Sequence, residues 1–472
     1  MDKQTINQLI KQVVQDQMPL TEASHNTLLE HNRMLYASLL NLPGLSAEDS
    51  MQIIQRLLAV TEQGGRSVSL EVKKTEDRLI AEVLPFLEVS KVLEGFKQFI
   101  TLKVNNQRTA NWIKSYILGS PQLELWAVSY RNTLAKLLVH AMGKQVAQTC
   151  LHFMETKKGK RNDHQAAYLE KNVYRFKGEN SPLFVKDVLL FLFGKLKKTQ
   201  HEKLNAYLQA RKNLDNGKGL PYGVLRGIAA TFHPKTEASQ VRRLAGKTKV
   251  KREFIVGGEL VEANSTNLVD RIRKQYLEGT PDEWVAQKIL AEASRLPHWD
   301  ARVALILDTS YSMLGFGARM YNNLSIATAL TQVLEKRTSH MKIVQVGNQH
   351  ETEFPQAQGV TSLAEGVLQA VTYQPDAVLI ISDGYENVEQ GDTEMVLQGL
   401  KNLGMDVPFV HILPAFTIRE AYEHRQPLGK GAPLILETGE RGFMPTWLNI
   451  QFAIHPDNIA EVLQNSMQSF MN

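Results

Sequence analysis

Two short, near-continuous apolar runs constrain this chain most: VALILD (303–308) and AVLIISDG (377–384). Runs of this kind suit strands buried on both faces, because a half-exposed strand would alternate apolar with polar residues. Between and after them the apolar spacing changes to threes and fours. The pattern predicts a helix over 319–337, a strand at MKIVQVG (341–347), a helix after Thr361 and a helix over 392–403. It then predicts strands at VPFVHIL (407–413) and IQFAI (450–454) and a last helix from Pro456. Strands alternating with helices imply a doubly wound, Rossmann-like α/β domain with a mostly parallel sheet, over about 299–472. In such sheets a ligand site lies beyond the carboxyl ends of the strands.

Hydroxyl and carboxylate side chains collect at those ends. The first apolar run leads into Asp308-Thr309-Ser310-Tyr311-Ser312 and the second into Ser382-Asp383-Gly384. Between them Val360-Thr361-Ser362-Leu363 opens a helix after the loop EFPQAQG. Any one of these elements alone reads equally well as a turn cap, since Asp and Ser bond their own backbone. Three of them in order, two at the ends of apolar strands, point instead to a cation site. Its donors are all oxygen, which suits a hard ion: magnesium, with manganese or calcium as substitutes. The candidate ligands are Asp308, Ser310, Ser312, Thr361 and Asp383.

Over roughly 302–460 these motifs resemble the von Willebrand factor A family and its metal-ion-dependent adhesion site. The resemblance implies that Ser310, Ser312 and Thr361 bind the metal directly while Asp308 and Asp383 mainly hold coordinating waters. Neutral hydroxyl ligands leave the cation electrophilic, and the free position would take an acidic residue of a protein partner. The third element departs from the family's usual Gly-Thr-Asp: here it is Val-Thr-Ser, so Ser362 could assist or compete.

The rest of the chain reads as helices. Over 1–150 apolar positions recur at helical spacing in INQLIKQVVQ, LLEHNRMLYASLLNL and MQIIQRLLAV, with breaks at Pro19, Pro43-Gly44 and Gly64-Gly65. LIAEVLPFLEVSKVLEGFKQFI and WAVSYRNTLAKLLVHAMGKQVAQTCLHFM continue the pattern. This predicts a bundle or an α-helical repeat of HEAT-like type. A second, basic helical region spans 151–298, with a short hairpin expected near 254–263 around Gly257-Gly258.

Charge is unevenly spread. The chain totals 54 Lys/Arg and 49 Asp/Glu, a net +5, yet 157–252 alone holds 23 basic against 7 acidic residues. Tyr168, Tyr174, Phe176, Tyr207, Tyr222 and Phe232 lie among those charges. Cations neutralise phosphates and rings stack on bases, which is what binding RNA requires. Each charge or ring taken singly reads as solvated helix face or core; the asymmetry as a whole favours an anionic partner. Candidate contacts are Lys157, Lys158, Lys160, Arg161, Arg242, Arg243, Lys247, Lys249, Lys251 and Arg252.

Helical repeats followed by a von Willebrand A domain resemble the Ro (TROVE-domain) RNA-binding proteins. The likeness is carried mainly by domain order, with ANWIKSYILGSPQLELWAVSYRNTLAKLLVHAMGK (110–144) and, more weakly, GLPYGVLRGIAATFHPK (219–235). It implies noncoding or defective RNA as cargo. The alternative is an adaptor of a MoxR-type AAA+ ATPase, or a metal-dependent protein scaffold with no nucleic acid.

Other features suggest no further chemistry. Gly246-Lys247-Thr248 lacks the earlier glycine of a phosphate loop, since that position is Val241, and Gly429-Lys430-Gly431 lacks the Ser/Thr after the lysine. No Ser–His–Asp set or nucleophile elbow is indicated, so the chain reads as non-enzymatic. His411 on its apolar strand reads as core, as does the single cysteine, Cys150, while Trp112, Trp126, Trp284 and Trp299 read as packing between helices. With one cysteine and no apolar stretch of membrane-spanning length, the expected setting is a reducing cytoplasm.

Overall fold

The structure, a computed structural model, describes residues 3–14, 18–42, 45–63, 66–156, 162–245, 267–347, 354–386, 389–416, 427–439 and 442–466. Five strands form one sheet: β1 (Trp299–Asp308), β2 (Thr338–Val346), β3 (Ala377–Ile381), β4 (Phe409–Pro414) and β5 (Leu434–Glu437). They lie in the order β2-β1-β3-β4-β5, every neighbouring pair parallel. Leu305 stands opposite Ile343 on one side and Leu379 on the other. All five residues of β3 are buried, as are Val303 through Asp308 of β1. A central parallel strand has helices on both faces, which is why these segments carry no polar alternation.

On one face Ala304, Ile306, Val378 and Ile380 pack against Leu363, Val367 and Ala370 of the helix Leu363–Val371 and Leu397 and Leu400 of the helix Asp392–Asn402. Gly366 sits where a Cβ would lie 2.7 Å from the Val346 side chain, so a larger residue would wedge helix from sheet. The helices Asn322–Glu335 and Met444–Ile454 take the opposite face.

One predicted strand is a helix. IQFAI (450–454) forms the second half of Met444–Ile454, and the fifth strand is Leu434–Glu437 instead. That helix buries Met444, Thr446, Trp447, Leu448, Ile450, Gln451 and Phe452, most of its circumference. A helix apolar nearly all round shows no 3.6-residue period, and a short apolar run then reads as a strand.

The described residues form two compact units: one from 1–53, 63–86 and 254–472, the other from 54–62 and 87–253. This grouping differs from a linear division at 150 and 298. The first helix, Lys3–Val14, packs on the last, Ile459–Ser466, where Asn7 Nδ2 donates to the Asp457 carbonyl at 2.7 Å and Asn7 Oδ1 accepts from Ala460 N at 2.8 Å. LLEHNRMLYASLLNL is not continuous. Asn32, with φ −155°, ends Glu22–His31 and caps Arg33–Ser38, its Oδ1 accepting from Met34 N and Leu35 N at 3.0 Å each.

From Val89–Thr101 to Ala238–Leu244 every described element of the second unit is a helix. The WAVSY…HFM stretch breaks at Tyr130 and at Gly143, whose φ of +82° a glycine adopts without strain. Segment 54–62 belongs here because Asn106 Nδ2 and Thr109 Oγ1 both donate to the Leu58 carbonyl, at 2.8 and 3.1 Å. Cys150 is buried. The expected hairpin at 254–263 lies outside the described residues. No helix among the described residues is long and apolar enough to cross a membrane.

In the first unit Arg33 bonds Glu76 through Nε and Nη2, the latter at 3.1 Å to Oε2, with both side chains almost fully buried. Removing one partner strands a buried charge. Glu76→Ala should therefore cost about 3–5 kcal/mol in denaturant unfolding of the full chain, and the double variant Arg33→Met/Glu76→Leu should recover most of it.

Candidate metal centre

The sheet order 2-1-3-4-5 has its switch point between β1 and β3, where consecutive connections leave in opposite directions. The two acidic motifs end those two strands. Asp308 is the last residue of β1, and Ser382 and Asp383 directly follow β3. A parallel register with Leu307 opposite Ile381 brings the two motifs level.

The side chains there form one network. Asp308 Oδ1 accepts from Ser310 N at 2.9 Å, and Asp308 Oδ2 accepts from Ser382 Oγ at 2.6 Å. Ser310 Oγ lies 3.0 Å from Ser312 Oγ. Ser312 in turn hydrogen-bonds the Asp383 carboxylate. Asp383 Oδ1 also accepts from Tyr385 N at 3.2 Å, and Gly384 N donates to Ser382 Oγ at 3.0 Å. Four of the five candidate ligands, Asp308, Ser310, Ser312 and Asp383, are therefore linked by direct bonds.

Thr361 arrives by a backbone ladder. Gln358 N donates to the Thr309 carbonyl at 2.8 Å and Tyr311 N to the Gly359 carbonyl at 3.2 Å, so 358–361 runs alongside 309–311. Two glycines make this approach possible. A Cβ on Gly347 would lie 2.7 Å from Ser310 N, and one on Gly359 2.1 Å from the Gly347 carbonyl oxygen, both at positive φ. Thr361 is buried beside this ladder.

Asp308 is fully buried and Asp383 nearly so. Burial raises the Asp308 pKa against the hydrogen bonds from Ser310 and Ser382. Burial pushes Asp383 up to about 6, the nearby Asp308 charge acting in the same direction. Among the described residues no lysine or arginine offsets either carboxylate. Two adjoining buried acids without a positive neighbour are costly to ionise, and a cation would relieve that cost. The donors are hydroxyl and carboxylate oxygens; no group of three or more His, Cys, Asp or Glu stands together anywhere among the described residues, so the hydroxyls would have to complete the donor set. The residues fit a hard divalent ion. It would take Ser310, Ser312 and Thr361 as neutral donors, with the two aspartates supplying the negative charge.

Ser382 is the residue whose role the motif alone did not show. It orients Asp308 while closing the turn to Gly384. Behind it His411, fully buried on β4, places Nε2 3.0 Å from the Ser382 carbonyl, and burial lowers its pKa to about 4.

Of the candidate nucleic-acid contacts, Arg242 and Arg243 are exposed on Ala238–Leu244, whose Val241 and Leu244 face the core. Lys157, Lys158, Lys160, Arg161, Lys247, Lys249, Lys251 and Arg252 lie outside the described residues. The interleaved rings divide. Phe176 is buried beneath Lys114, and Tyr168 and Tyr207 pack edge-on against Phe153 and Phe191, whereas Tyr222 and Phe232 are exposed.

No protein-family model matches the chain, and no curated protein matches it. Among solved structures it is similar to the crystal structure of the Deinococcus radiodurans RO (RSR) protein, at 13% identity over 91% of this chain and 93% of that one, with a TM-score of 0.28. A superposition that loose carries no argument about function.

Substitution of a residue that orients a ligand typically weakens metal binding about 10–100-fold. Ser382→Ala should lower manganese or magnesium affinity by that factor in calorimetric titration, with the far-ultraviolet circular dichroism unchanged.

Proposed function

We propose that this chain is a non-enzymatic RNA-binding protein of Ro-like type, holding RNA on its basic helical unit. A magnesium ion in the α/β unit would let it capture an acidic group of a protein partner. The carrying observation is the coincidence of charge with structure. Residues 54–62 and 87–253 hold 32 Lys/Arg against 13 Asp/Glu, a net +19, while the remainder holds 22 against 36, a net −14. The total of +5 conceals this division. Charge far from zero on one unit attracts a polyanion from a distance, and release of the counterions condensed on RNA then drives binding. The helices would stack in HEAT-like fashion to spread that charge.

At the α/β unit, Asp308, Ser310, Ser312, Thr361 and Asp383 would hold magnesium, with manganese or calcium able to replace it. The ion would supply an open, electrophilic position for a carboxylate. The chain's own residues do the rest: the serines stay neutral, Asp308 and Ser382 orient them, and the glycine ladder fixes Thr361.

A second reading, a protein-interaction adaptor such as a partner of an AAA+ ATPase, draws on one observation. Tyr311, Phe316, Val360 and Tyr385 are exposed on the same three loops, Phe316 at 80%. Exposed aromatic side chains are enriched at protein contacts.

Electrophoretic shift of full-length protein with structured and single-stranded RNA, across a salt titration, tests the first reading. Affinity should fall steeply with salt, at a log–log slope of about −0.7 per phosphate contacted on single strands. Arg242→Glu/Arg243→Glu should weaken binding and flatten the slope by one or more such contacts. Absence of binding at low salt sinks the RNA reading. Recovery of a protein partner with wild type but not with Asp308→Ala would assign the metal's part.

A further inference from the structure

The basic unit contains a groove of about 450 Å³ between the start of the helix Arg131–Met142, the helix Glu202–Ala210 and the helix Tyr222–Phe232. Its volume falls within the ~300–1,000 Å³ of small-ligand sites. Tyr207 and Phe232 line it as rings, Arg131 and Asn132 as polar groups, and Gly223 and Gly227 as bare backbone. Among the described residues no aspartate or glutamate lines it.

The cations are held and unneutralised. Arg131 Nε donates to the Phe191 carbonyl at 3.1 Å, and its guanidinium lies 5.0 Å from the Phe191 ring centre and 5.9 Å from that of Tyr207. Arg211 stacks over Phe232 at 4.7 Å. Neither arginine has an acidic partner among the described residues. Phe232 nevertheless leaves 41% of its surface exposed, and Tyr207 is fixed edge-on to Phe191 at 4.9 Å. The walls are anchored from outside the groove. Glu124 Oε1 accepts from Lys203 N and Leu204 N at the start of Glu202–Ala210, and His233 Nε2 meets the Ala210 carbonyl at its end.

The glycines lack the usual structural reasons. Both lie inside a helix at ordinary φ, and a Cβ on either would meet nothing within 4 Å. Glycine is a poor helix former, so two such positions one turn apart weaken the helix without relieving any clash. What they leave is an open floor beneath rings and guanidinium groups.

We infer that this groove receives an unpaired nucleotide of single-stranded RNA, its base lying along the bare Gly223–Gly227 face beside Tyr207 and Phe232 and its phosphate meeting Arg131 and Arg211. Rings, stacked arginines, an amide at Asn132 and the lack of any acid match a planar anionic ligand, since base–aromatic stacking and cation contact tolerate every base. A duplex keeps its bases inside and would not fill the groove. The inference rests on the RNA-binding reading above and narrows it to one place and one form of RNA.

Gly227→Met fills the groove with a good helix former into space that is open, so its melting temperature should equal or exceed that of wild type. Fluorescence anisotropy on the full chain, with a short labelled uridine oligonucleotide and with a duplex RNA, supplies the readout. The expected result is about tenfold or greater loss of single-strand affinity in Gly227→Met and in Arg131→Gln, with duplex affinity of Gly227→Met within about twofold. Wild type that binds RNA while both variants bind the single strand as tightly overturns the groove and leaves the RNA reading standing. Equal losses on single strand and duplex in Gly227→Met also overturn it. Wild type that binds neither RNA at low salt overturns both. If Gly227→Met melts early, Gly223→Met takes its place under the same criteria.

Discussion

Burial of the Val303–Asp308 part of β1 and of all of β3 on both faces is the constraint from which the candidate site follows. Strands that must hide both surfaces carry only apolar residues along their length, so the first polar side chains appear where the chain leaves the sheet. Asp308 and Asp383 stand at those exits, side by side because the strands are parallel and level. Hydroxyls and backbone amides satisfy them, but no positive side chain does among the described residues. The result is an oxygen-rich edge of the sheet where two buried carboxylates lie close together.

The supporting contacts are arranged to protect that edge. Thr309, between Asp308 and Ser310, turns away from it, its Oγ1 and N both bonded to the Val346 carbonyl. Gly347 and Gly359 allow two loops to touch where any Cβ would hold them apart. Tyr321, one of three non-glycine residues with positive φ among the described residues, closes the serine loop by donating from its N to the Leu314 carbonyl and stacks on Tyr276 at 5.2 Å. These loops are held largely by backbone contacts, with the Tyr321–Tyr276 stack beside them.

The charge division has a different physical origin from the fold. Lysines and arginines on helix faces cost little to place in water, so they can accumulate on one unit without altering its core. Exposed Arg242 and Arg243 above buried Val241 and Leu244 show this at the scale of one turn. The two units thus differ in sign, a helical one that is net positive and an α/β one that is net negative.

The amino-acid sequence by itself determined what depends on local pattern: the two apolar strands, the motifs that end them, the helical character of the first half and the sign of each region's charge. It failed where the answer depends on what surrounds a segment. IQFAI became a helix because a segment apolar on every side has no period to read, and LLEHNRMLYASLLNL divided at Asn32 because a cap and a helical polar residue look alike in one dimension. Only the tertiary structure decided that 1–53 joins the C-terminal half, that Ser382 orients Asp308, and that Gly223 and Gly227 face an open groove. Each of those facts is a distance between residues far apart in the chain. Such distances follow from the packing of whole elements, not from the order of neighbouring residues.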